Sequence, residues 1–262
     1  MTTTISGKTD PVERRITAGD VLEALGQGLR DFQALPLWGL TVGAVYAGGG
    51  ILIVLSITAL GMSYLAYPLA AGFALIGPFA AVVLYEVSRC RERGEGAPSP
   101  RAIIAAVRAR SEIGWMAFVS VFIFIMWMYQ ARFLMALFFG LHASFTTLRE
   151  FIAVVLSTNE GLAFLLIGNA EGAVLSLILF SVTVVSFPLL LDREVDFVTA
   201  MITSVRAVAT SPGPMIGWAA VVVILLIASA LPFFLGLLVT LPVLGHTTWH
   251  LYRRIVAPVA AA

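Results

Sequence analysis

The sequence predicts an all-α polytopic membrane protein of six transmembrane helices, arranged as three hairpins, each preceded by an amphipathic cytoplasmic helix. Three observations predict it. Of 262 residues, 60% are hydrophobic and 12% are charged, whereas a soluble domain carries about 25% charged residues. The apolar residues fall in long blocks, six of which supply the roughly 20 helical residues that a bilayer core about 30 Å thick requires. The arginines collect between those blocks on one side. Mean hydropathy is +0.97, and 16 basic residues nearly balance 15 acidic ones. A chain so balanced has no global field to attract nucleic acid.

Taken in order, residues 1–15 are polar and lack the apolar region of a cleavable signal. They are expected to form a disordered cytoplasmic tail ahead of a single transmembrane domain, 16–256. Spans are expected at about 35–60, 65–88, 113–140, 172–191, 215–231 and 233–252. Pro232 splits a last apolar block that is too long for one crossing. The stretch 148–169 holds Arg149, Glu150, Asn159, Glu160 and Gly161, and these polar clusters favour an interfacial or re-entrant segment over a span. Residues 257–262 are a short tail.

The positive-inside rule sets the orientation. With six spans, one side holds Lys8, Arg14, Arg15, Arg30, Arg89, Arg91, Arg93, Arg101, Arg108, Arg110, Arg193, Arg206, Arg253 and Arg254, which is 14 of the 16 basic residues. Arg132 lies within the third span and Arg149 lies outside. Both termini are therefore expected in the cytoplasm. A seventh span at 148–169 would export Arg193 and Arg206.

Amphipathic helices are expected at about 17–33, 100–110 and 195–209. In the first, Val21, Leu22, Leu25, Leu29 and Phe32 recur at helical spacing, with Asp20, Glu23, Arg30 and Asp31 turned mostly away. Thr17 followed by Asp20 at the third position offers a capping box. All three helices suit the surface of the inner leaflet.

An internal repeat links these elements. An offset of 176 pairs Asp20 with Asp196, Ala24 with Ala200, Arg30 with Arg206 and Pro36 with Pro212. An offset of 164 pairs Pro68 with Pro232, Gly72 with Gly236, Pro78 with Pro242, Arg89 with Arg253 and Glu86 with His250, while Tyr85 faces Trp249. A fainter middle copy sets Ile113-Gly114-Trp115 against Ile216-Gly217-Trp218.

Few residues carry chemistry. The single cysteine, Cys90, excludes an internal disulfide and a thiolate metal cluster. The histidines are His142, His246 and His250. The last two stand i, i+4 on one helix face, a spacing that suits packing hydrogen bonds or a metal, with Trp249, Tyr252, Arg253 and Arg254 forming an interfacial belt around them. Arg132 lies about 28 Å along its helix from Ile113 at 1.5 Å per residue, beside Gln130. Glu150, Glu160 and Glu171 are the acids that could pair with it. Glu86 could meet His250 or be satisfied by Arg89 or Arg93. Glycines and prolines interrupt the spans at Gly48-Gly49-Gly50, Gly72, Gly77-Pro78, Pro188 and Pro242, as helix packing or a broken-helix binding site would require. No phosphate loop, nucleophile elbow or paired catalytic carboxylates are present, so no enzyme and no cofactor is expected.

The segments GPFAAVVLYEVSRCRERGE (77–95), FPLLLDREVDFVTAMITSVRAV (187–208) and LPVLGHTTWHLYRRIV (241–256) resemble a family of proteobacterial integral membrane proteins classed as a domain of unknown function. The resemblance implies a multi-pass protein of the bacterial inner membrane, matched from about residue 16 to 256. Some members are labelled as cytochrome c oxidase subunit I-like. A haem–copper oxidase core needs more histidine ligands than the three present here. A respiratory complex therefore enters only as a partner class. The expected function is an accessory, assembly or scaffold role exercised through the lipid bilayer or another membrane protein complex. A transporter or channel for a small or lipid-like solute, and a haem or metal protein using His246 and His250, are the alternatives. Glu86, Gln130, Arg132, Glu171, His246 and His250 are the polar residues each reading would draw on.

Overall fold

A computed structural model of the chain describes residues 13–58, 80–141 and 148–257. Helix follows helix: α1 (Ala18–Ala34), α2 (Pro36–Thr58), α3 (80–92), α4 (Pro100–Arg108), α5 (Ser111–Phe139), α6 (Leu148–Ser157), α7 (Asn159–Thr183), α8 (Ser186–Asp192), α9 (Phe197–Thr210), α10 (Pro212–Ala230) and α11 (Leu237–Ile255). The described residues contain no strand beyond an isolated antiparallel bridge between Glu13 and Val256.

Four stretches among the described residues are long and apolar enough to cross a membrane: Pro36–Leu55, Ser111–Phe139, Asn159–Asp192 and Pro212–Ala230. The expected span 65–88 falls mostly on 59–79, outside the described residues; its last turns open α3. The expected span 233–252 corresponds to α11, which is not among the four. His246, Thr247, Thr248, His250, Arg253 and Arg254 make its second half polar.

The stretch 148–169 is not one segment. α6 ends at Ser157, and Thr158 starts a new helix by accepting the Gly161 N–H at 3.0 Å through its hydroxyl. α7 then runs from Asn159 without a break at 172, so the fourth apolar helix begins earlier than expected. The polar residues that argued for a boundary are tolerated inside it. Asn169 donates to the Leu165 carbonyl of its own helix at 2.7 Å, which satisfies one N–H of the amide without a partner from elsewhere.

The chain divides into two compact units, Met1–Ala117 with Ser181–Ala262, and Phe118–Phe180. Within the second, Phe164 gathers Phe138, Phe139 and Phe151 at ring-centroid distances of 6.2, 5.3 and 6.4 Å. Gly161 lies so close to the Val154 and Val155 backbone that a side chain would not fit.

In the first unit α11 is central, with α1, α2, α8 and α10 packed on it. Glycine makes the approach possible: a Cβ on Gly43 would sit 2.6 Å from Leu238 Cα, and one on Gly39 would sit 2.8 Å from Pro242 Cβ. Without a hydrophobic drive between helices in lipid, such close contact is what holds them.

α1 begins as expected. Thr17 accepts the Asp20 N–H while the Asp20 carboxylate accepts the Thr17 N–H at 2.8 Å, a complete capping box. Thr17→Ala should cost about 1 kcal/mol, read as a lower midpoint of thermal unfolding in detergent. An unchanged midpoint would mean that packing on α11 alone sets the start of α1.

The 176-residue repeat is visible in the backbone. α1 ends at Leu35 with φ −131° and ψ 59°, and α9 ends at Ser211 with φ −134° and ψ 60°. Each precedes a proline that opens the next helix. A residue before proline is driven out of helical geometry, while proline suits a first helical position. Burial repeats too: Ala24, Gly28 and Asp31 on α1 correspond to Ala200, Ser204 and Ala207 on α9, and all six are buried. Leu22 and Leu29, like Val198 and Val205, face outward. The middle copy does not follow this pattern, because Trp115 is exposed and stacks on Phe197 while Trp218 is buried. Pro68, Gly72 and Pro78 lie outside the described residues.

Candidate functional site: a buried polar network at the end of helix α11

Asp31 anchors the network. Its helix is amphipathic, but the face turned to α11 is the narrow one of Ala24, Gly28 and Asp31, while Leu22 and Leu29 face away and Val21, Leu25 and Phe32 are half-buried. The expectation that Asp31 points outward is therefore corrected: it is 4% exposed. The small residues let α1 approach closely enough that the only large residue on that face must be buried too.

Three groups donate to this carboxylate. Ser88 Oγ lies 2.6 Å and His250 Nε2 lies 2.7 Å from Oδ2, and Arg91 pairs with Oδ1. His246 Nδ1 stands 2.8 Å from Ser88 Oγ. Ser88 has one hydroxyl proton, and the charged acceptor at 2.6 Å takes it. Its oxygen then accepts from His246, which puts the proton of that imidazole on Nδ1. The i, i+4 spacing of the histidines thus serves a single chain of hydrogen bonds joining α1, α3 and α11.

A second ring of ion pairs surrounds this chain. Arg253 bonds Glu92 at 2.9 Å and Asp192 at 3.3 Å, while Trp249 donates to Glu92 at 3.0 Å and Tyr252 to Asp192 at 2.7 Å. Arg254 reaches Asp20 at 3.2 Å and Glu23 at 2.8 Å. Glu86 is paired with Arg89 at 2.9 Å, and Arg89 also donates to the Leu191 carbonyl. Glu86 and His250 are not partners; Asp31 takes the place expected for Glu86.

Of the sequence-derived residues, His246 and His250 are brought together and Glu86 belongs to the surrounding ring. Gln130 and Arg132 are exposed on α5 in the other unit. Glu171 lies there on α7 with one buried carboxylate oxygen that has no hydrogen-bond partner among the described residues. His142 is outside the described residues. Asp31, Ser88, Arg91 and Glu92 were missed. The signal for Asp31 was its spacing of three from Gly28 and seven from Ala24.

Burial opposes ionisation of Asp31, but the hydrogen bonds from His250 and Ser88 and the fields of both histidines outweigh it, holding the carboxyl below its ordinary 3.8. A carboxyl with a depressed folded-state value stabilises the fold above its unfolded value and loses that contribution as pH falls through the folded one. The unfolding midpoint should therefore drop as pH descends below 3.8. Asp20 and Asp196 are lowered by hydrogen bonds from Thr17 and Thr199 at their helix starts and add to the same limb. Asp31→Asn should make the limb shallower, and an equally steep limb would count against Asp31 as a contributor.

The network contains serine, histidine and aspartate but not the connectivity of a hydrolase triad, in which the imidazole stands between hydroxyl and carboxylate. Here the hydroxyl stands between them, and both Ser88 and His246 are 0% exposed. Among the described residues no three His, Cys, Asp or Glu side chains are placed to hold a metal ion.

Residues 66–192 match the model of a family described as a predicted integral membrane protein (DUF2189). The apolar helices α2, α5, α7 and α10 agree with that description. The chain is an integral membrane protein. The match covers just under half of it, which is narrower than the extent expected from residue 16 to 256. It includes the segment 77–95, ends after the first six residues of 187–208, and leaves out 241–256. The network of this membrane protein therefore straddles the boundary, with Ser88, Arg91 and Glu92 inside the match and Asp31, His246 and His250 outside. No curated protein and no solved structure matches the chain.

Proposed function

We propose that this protein is a non-enzymatic accessory or scaffold subunit of the bacterial inner membrane, acting through contacts with lipid and with another membrane protein. In this reading it has six crossings in three hairpins, with both termini in the cytoplasm. The observation that carries it is the division of labour among side chains. The central polar groups of α1, α3 and α11 are committed to one another in a buried network, while Leu22, Leu29, Val198, Ile202 and Val205 face outward from α1 and α9. Reactive groups spent on structure do not favour catalysis. Apolar stripes on amphipathic helices favour an interfacial site at the inner leaflet. The metal reading draws less support, because among the described residues no three His, Cys, Asp or Glu side chains are placed to hold an ion.

Extraction of a tagged chain from its native membrane in mild detergent tests the proposal. A membrane partner in fixed ratio, or tightly retained lipid, is expected, and Leu22→Glu with Leu29→Glu should reduce it. A chain that runs alone without lipid, and whose double variant behaves identically, would sink the reading.

A further inference from the structure

The outer face of the network opens into a cavity of about 470 Å³ between α1, α3 and α11. Its walls carry four guanidiniums, those of Arg30, Arg91, Arg253 and Arg254, together with the amide of Gln27 and the imidazole of His250. Among the described residues two carboxylates, Asp31 and Glu92, face the same space.

Those two acids are already heavily used. Asp31 accepts from Ser88, His250 and Arg91, and Glu92 accepts from Trp249 and Arg253. The guanidiniums have donors to spare, since each carries five N–H groups. Arg30 makes no ion pair with an acid among the described residues. Just beyond the lining, Asp192 pairs with Arg253, and Asp20 and Glu23 pair with Arg254, so the donors left for a ligand are those of Arg30 and the remaining N–H groups of Arg91, and the space is short of acceptors for them.

The geometry points to a binding site for a phosphate-bearing anion in this cavity. Guanidinium forks match phosphate oxygens in shape and charge. The volume lies in the range of small-molecule sites, about 300–1,000 Å³, and exceeds what a bare inorganic ion needs, so a phosphate carrying an organic group fits best. An anionic lipid headgroup and a soluble phosphate share this chemistry. The outward Leu22 and Leu29 on the helix that supplies Gln27 and Arg30 provide an apolar surface on the same element. This inference is independent of the accessory role: a chain that runs alone could still bind phosphate.

The repeat supplies the control. Arg206 on α9 is the counterpart of Arg30 and is likewise exposed, but its neighbour at the Asp31 position is Ala207 and it does not line the cavity. Thermal shift of the full chain in maltoside micelles would be followed against sodium phosphate, with chloride at equal ionic strength as reference. A parallel series uses micelles doped with phosphatidylglycerol, with phosphatidylcholine as reference. A saturable rise in the midpoint is expected with phosphatidylglycerol alone if the source is a headgroup, and with both probes if free phosphate suffices. Arg30→Gln and Gln27→Glu should each weaken it by about tenfold, the loss of one charge-assisted hydrogen bond, and Arg206→Gln should leave it unchanged. No shift with either probe would overturn the site. So would equal weakening by Arg206→Gln, or undiminished binding in both cavity variants.

Discussion

Asp31→Asn is expected to destabilise the fold by about 3 kcal/mol, the low end of what breaking one side of a buried charged pair costs. The substitution keeps the volume and removes the acceptor. Ser88, His250 and Arg91 all donate to this carboxylate, and an amide offers one oxygen where two were used. Its NH2 group would face another donor, leaving buried groups unsatisfied. The measurement is the midpoint of thermal unfolding in detergent, followed by tryptophan fluorescence, with Asp196→Asn as comparison. Asp196 caps α9 on an exposed surface, where asparagine caps about as well as aspartate, so this replacement should cost little. A midpoint for Asp31→Asn no lower than for Asp196→Asn would show that the network does not hold α1 in place. Combining Asp31→Asn with His250→Ala should cost much less than the sum of the two, since partners in one network are not additive.

The second large effect is steric. A Cβ on Gly28 would stand 2.6 Å from the Thr247 backbone nitrogen, and one on Gly43 would stand 2.6 Å from Leu238 Cα. Backbone cannot swing aside as a side-chain tip can. Gly28→Ala and Gly43→Ala should each cost roughly 1–3 kcal/mol through overpacking, with leucine at either site worse. Gly28→Ala should in addition loosen the Asp31–His250 bond, because the displaced helix carries Asp31 with it. Gly48 is the internal control, since no atom lies within 4 Å of a Cβ built there. Gly48→Ala should be neutral or mildly stabilising through helix propensity. Equal effects at positions 28, 43 and 48 would mean that propensity decides and close packing does not.

Features that depend on neighbours in sequence were legible. The Thr17 capping box, the helix breaks at Leu35–Pro36 and Ser211–Pro212, and the turn after Ala230 rest on hydrogen bonds or clashes within a few residues. The shared i, i+4 face of His246 and His250 was legible for the same reason. The start of α7 at Asn159 was not, because Asn169 bonds back to its own helix and so gives no boundary where polarity suggested one. Asp31 was misplaced because amphipathicity reports two faces of unlike polarity without saying which is packed. In water the leucine face would be buried. Here the small-residue face packs on α11, and Leu22 and Leu29 stay outside.

The sequence by itself therefore determined the membrane class, the helical character of the described residues and the 176-residue register that pairs α1 with α9, all of which follow from hydropathy and local backbone chemistry. Only the tertiary structure decided that Asp31, with no acidic counterpart at the repeat-equivalent Ala207, joins Ser88, His246 and His250 across separations of 57 to 219 residues. Local spacing can put Asp31 on the face of Ala24 and Gly28, but it does not say which distant groups that face meets. The approach of glycine-lined backbones decides that.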